Sequence, residues 1–149
     1  MPDQRDAPFR PVLQDHRPPS PAFNPWLVLI PTFFGGSVAA TIGTVALAQR
    51  LGLPRRAQAA MVAVGGLGLL VAGVLLHQLD VSPAAGNRLA GFAAFAVQLG
   101  FLLGPYRRWQ ATGQESATFL HTGLTALVIG LASNLLLVLV VRGLPGGVA

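Results

Sequence analysis

The chain of 149 residues has no cysteine and no lysine, only five acidic residues, and a charged share of 10%. Each shortage excludes something. Without cysteine there are no disulfides, no thiolate metal sites, no covalent c-type haem and no cysteine nucleophile. Soluble domains carry about a quarter charged residues, so a chain that is 52% hydrophobic and 10% charged is not expected to be a soluble enzyme. The acids Asp3, Asp6, Asp15, Asp80 and Glu115 all lie outside the long apolar runs. Proton-coupled transporters usually hold their coupling charge on an intramembrane acid, so the sequence argues against proton antiport. Gly65-Gly66-Leu67-Gly68 is not a phosphate loop, because it sits in an apolar run and lacks the lysine and hydroxyl that follow such loops. His77 and His121 fall at opposite membrane faces on the expected topology, which leaves no metal or haem site. No catalytic residue, metal or cofactor is expected.

What is present is long and apolar. Four runs predict membrane helices at about 26–48, 57–77, 86–106 and 121–141. The runs are continuous rather than alternating, which excludes strand barrels, and backbone groups in lipid must pair within their own segment. The expected fold is therefore an all-α integral membrane four-helix bundle, with short links and antiparallel neighbours over 26–142. Residues 1–25 hold seven prolines and predict an extended or disordered tail without a cleavable signal peptide. Residues 143–149 form a short second tail.

All ten basic residues are arginine, and the net charge is +5. Most of them flank apolar runs, so the expected partner is a membrane surface rather than nucleic acid. Arg50, Arg55, Arg56, Arg107 and Arg108 gather at the first and third links and are expected to hold anionic lipid headgroups. By the positive-inside rule these links face the cytoplasm and both termini lie outside. Arginine without lysine, with abundant alanine, glycine and leucine, suggests a high-GC bacterial genome, hence a bacterial inner membrane.

Helices in lipid associate through small residues and hydrogen bonds. Candidate packing or path-lining positions are Gly35, Gly36, Ser37 and Thr41 in the first helix, Gln98 in the third, and Gly130 and Asn134 in the fourth. Their depths suit Gln98 pairing with Thr41, and Asn134 with Ser37. Pro31, followed by Gly35-Gly36, predicts a kink. Phe33-Phe34-Gly35-Gly36, Ala39, Arg50-Leu51-Gly52 and Arg55-Arg56-Ala57 resemble an uncharacterised group of small bacterial four-span membrane proteins, over residues 33–57. Ser37 and Leu47 depart from that pattern, which tends to have proline and asparagine there. The resemblance implies no activity.

Two functions fit this reading. The first is a non-catalytic accessory or structural subunit acting through helix contacts, with itself or with other membrane proteins. The second is a small oligomeric channel or transporter with a polar, uncharged path through Ser37, Thr41, Gln98 and Asn134.

Overall fold

The computed structural model describes residues 21–78 and 82–143, and the described residues are helical with no strand. Of the expected tail over 1–25, residues 1–20 lie outside them, as does the end of the chain over 144–149; residues 21–25 are not a loose tail, because Ala22, Phe23 and Pro25 are buried against the helices. A 3-10 turn, Pro25–Val28, leads into α1, Leu29–Arg50; α2 is Arg55–Gln78, α3 is Pro83–Gln110 and α4 is Leu120–Gly143. All four helices are long and apolar enough to cross a membrane.

The first of them does not run straight. Gly36, at φ 63° and ψ −147°, is non-helical inside α1. That conformation is open essentially to glycine alone. The chain reverses there. A methyl group on Gly43 would lie 2.6 Å from Val28 Cγ1, whereas fifteen residues of unbroken helix would hold the two about 22 Å apart. The Arg50 guanidinium donates to Pro21 O at 2.9 Å and lies 5.5 Å from the centre of the Phe23 ring. Arms 25–35 and 37–50 thus lie side by side, and both outer ends meet at the arginine-rich end of the molecule. The kink expected after Pro31 is a full reversal, located at Gly36 rather than at the proline.

Local sequence explains the ends of this hairpin. Asn24 accepts from the Trp26 N–H at 3.1 Å, and Pro25 occupies the first helical position, where its missing N–H costs nothing. At the other end Leu53 N–H donates to Ala48 O and Gly52 N–H to Gln49 O, both in a Schellman closure with Gly52 at φ +69°. Pro54 then stops the helix, and α2 begins.

The hairpin is the centre of the molecule. Arm 37–50 is packed against α2 and α3, while α4 lies along the hairpin and scarcely touches α3. This corrects the expected bundle of antiparallel sequence neighbours: α3 and α4 are separated by α1. The Ala126, Gly130 and Asn134 stripe of α4 faces α1, with Ala126 and Gly130 buried. Leu124, Val128, Leu131, Leu135 and Leu139 on α4 are exposed, as are Leu67, Leu70 and Val74 on α2. Those faces carry no charge and suit a hydrocarbon surround.

Ala22, Phe23, Leu47, Ala48, Tyr106 and Trp109 share one buried cluster. Ala117 N–H donates to Ala22 O at 2.8 Å, which straps the link 111–119 onto the chain at residue 22. Phe23 and Phe119 pack at 4.8 Å between ring centres. The Trp26 ring lies 6.4 Å from that of Phe95, midway along α3.

Candidate functional site

The reversal at Gly36 places bent backbone deep among the helices. From Gly36 back to Arg50 the second arm is about 21 Å long at 1.5 Å per residue, against about 30 Å for the hydrocarbon core of a bilayer. Non-helical backbone at such depth persists only where protein buries it or a cavity wets it. Here glycines clamp it from both sides. A methyl on Gly91 of α3 would lie 2.7 Å from the Gly36 carbonyl carbon, and one on Gly130 of α4 would lie 2.7 Å from Gly35 Cα. Backbone meets backbone at both contacts, and no side chain fits between.

Three polar side chains converge on this tip. Asn134 Nδ2 donates to Phe34 O at 3.1 Å. The break deprives carbonyls at the end of arm 25–35 of their helical donors, and Asn134 supplies one. Asn87 of α3 is 4% exposed, and its carboxamide fills the space where a Gly36 side chain would be. Ser37, fully buried, is the first residue of the returning arm. Ser37 Oγ and Asn87 Oδ1 are both buried with no hydrogen-bond partner. Buried polar atoms are nearly always paired, so two orphans at one bend mark a place where a further group belongs.

Below the tip a second polar layer is closed. Gln98 Nε2 donates to Thr41 Oγ1 at 2.9 Å and to Met61 O at 2.8 Å, and Thr44 Oγ1 donates to Gln98 Oε1 at 3.0 Å. One amide ties α1, α2 and α3 together. It can do so because α2 meets α1 at Gly65, where any Cβ would overlap the Thr41 hydroxyl. Ser37, Thr41 and Thr44 form a hydroxyl stripe on one face of arm 37–50, running from the tip to this layer. Gln98→Leu removes three interhelical bonds at about 0.6 kcal/mol each, a loss of about 2 kcal/mol. A denaturation series in mixed micelles should show that loss, with the protein still recovered folded.

The sequence positions fall into two groups. Gly35, Gly36, Ser37, Gly130 and Asn134 meet at the tip, and Thr41 and Gln98 form the layer beneath. The Gln98–Thr41 bond has the expected partners. The Asn134–Ser37 bond does not form: Asn134 faces arm 25–35, and Ser37 faces α2 and α3, with Gly68 beside its Cβ. Sequence reasoning missed Asn87 and Gly91. Asn87 stands at the very start of the expected third helix, 86–106, beside Arg88, where a polar residue reads as an interfacial one. Its position one helical turn before Gly91 is the only signal that could have found it.

At the arginine-rich end, Arg55, Arg56, Arg107 and Arg108 are exposed. Arg50 is half-buried, with one guanidinium N–H donating to Pro21 O and the group lying over the Phe23 ring. No group of three or more metal-ligating side chains occurs among the described residues. No protein-family model, curated protein or solved structure matches this chain.

Proposed function

We propose that the chain is a small, non-catalytic membrane protein that passes a small solute, with the hairpin tip as the solute site and the Gln98 layer as its closed gate. One observation carries this: two buried polar atoms, Ser37 Oγ and Asn87 Oδ1, stand unpartnered at the reversal of a re-entrant helix. Broken helices at membrane depth present free backbone groups to a ligand. A subunit acting only through helix contacts has no use for unsatisfied polar atoms at its most constrained point, so the path reading is preferred to the accessory one.

The membrane is proposed to be a bacterial inner membrane, with the arginine-rich end in the cytoplasm. Residue 21 then lies on the cytoplasmic side with Arg50, and α4 ends outside. This replaces an arrangement with both termini outside, which assumed that α1 crosses completely. Arg55, Arg56, Arg107 and Arg108 are left to bind anionic headgroups, each attraction contributing about 1 kcal/mol.

Purified chain in liposomes tests the reading, with potassium chloride and urea as probes. Efflux or swelling above that of empty liposomes is expected for at least one of them, reduced by Ser37→Val. Liposomes no more permeable than controls, together with another membrane protein co-purifying in fixed ratio, would return the accessory-subunit function.

A further inference from the structure

Building on the permeation reading, we infer that the hairpin tip takes a small monovalent anion, held by the start of arm 37–50, the Ser37 hydroxyl and the Asn87 carboxamide. A helical reversal sets two opposite poles side by side: the carbonyl end of one arm and the amide end of the other. In this molecule the two are treated differently. The carbonyl end of arm 25–35 is occupied, with Asn134 donating to Phe34 O and Gly35 pressed against Gly130. The amide end of arm 37–50 is backed by Gly91 but has no side-chain cap. Its cap position is Gly36, which has no side chain to accept from the first N–H groups.

The side chains at that uncapped pole suit an anion. The unpartnered Ser37 hydroxyl is a donor. The Asn87 carboxamide lies against Gly36, and turned end for end it offers N–H donors where its oxygen now stands. Helix N-termini with such donors bind anions readily. The surrounding charge has the same sign. Arg88 follows Asn87 directly, and its guanidinium carbon lies 4.2 Å from the Phe33 ring centre, on the arm that ends at the tip. Of the described charged side chains Arg88 alone lies near the tip, while Arg50, Arg55, Arg56, Arg107, Arg108 and Glu115 gather at the other end. No carboxylate occurs in any of the four spans. A cation at the tip would find no counter-charge there. Desolvation rises steeply with charge, which favours one negative charge over two.

Two measurements on the full chain decide the matter. In liposomes with asymmetric potassium chloride, the current should reverse near the chloride equilibrium potential. In detergent, exchanging gluconate for chloride or nitrate at constant ionic strength should raise the melting temperature. Asn87→Asp puts a carboxylate of the same shape at the tip and should lower chloride current about tenfold, the loss of one charge-assisted hydrogen bond. A cation-selective current, a current raised by Asn87→Asp, or passage of urea alone would overturn the anion inference and leave permeation standing. Absence of all permeability would overturn the permeation reading, and the anion site with it if chloride also leaves melting unchanged. Should Asn87→Asp fail to fold, the reversal potential and melting shift of the unaltered chain still decide.

Discussion

Gly36→Ala should cost about 4 kcal/mol and leave little folded protein. Two separate penalties combine. A side chain at φ 63°, ψ −147° costs about 1–3 kcal/mol in backbone strain. The new methyl also overlaps the Asn87 carboxamide, and forcing such a group into a packed interior costs about 1–3 kcal/mol more. The two shares can be separated. Gly36→Ala with Asn87→Ala removes the overlap and keeps the strain, so it should recover roughly half the loss. Gly66→Ala is the control: Gly66 is helical, with nothing within 4 Å of a new methyl. It should be neutral, or gain up to about 1 kcal/mol from helix propensity. Thermal melting and the monodisperse fraction in gel filtration would read all four proteins. If Gly36→Ala behaves like Gly66→Ala, α1 has no reversal and runs straight.

The second large effect is all-or-none. Because the natural chain has no cysteine, single cysteines can be placed without background. Pro21→Cys and Thr112→Cys should label together from one side of the membrane, and Gln78→Cys from the other. The reason is the path of α1: it returns to the end from which it started, so residue 21 shares a face with the links after α1 and α3. With a membrane-impermeant thiol reagent, intact cells should label Gln78→Cys alone, and inverted vesicles the other two. Pro21→Cys labelling with Gln78→Cys would mean that α1 crosses fully. Reversed labelling of all three would keep the hairpin and invert the orientation.

Much of this was legible in residue order. Four apolar runs without carboxylates announced four membrane-type helices, because hydropathy and length are properties of consecutive residues. The glycine and small-residue positions of α4 pointed to a packing face, and that face is turned to α1. Gln98 and Thr41 could be matched by depth because both lie in regular helix, where residue number converts to height. The same conversion misplaced Ser37 against Asn134. Ser37 lies beyond the reversal and faces α2 and α3, so its height along a straight helix meant nothing.

The sequence by itself determined the class: four helices long and apolar enough to cross a membrane, an arginine-rich end, no thiol chemistry, and no acid within a span. It determined these because composition and periodicity act locally and need no partner. Only the tertiary structure decided that α1 is a hairpin. Apolar residues look alike whether a helix continues or turns back, and glycine permits both. What selects the turn is long-range: Gly91 and Gly130 admit the bent backbone between α3 and α4, Asn134 receives a freed carbonyl, and Arg50 fastens the returning end to Pro21. The same contacts created the site, since the Asn87 carboxamide comes to lie against Gly36, next to Ser37 in the chain, only where the chain reverses.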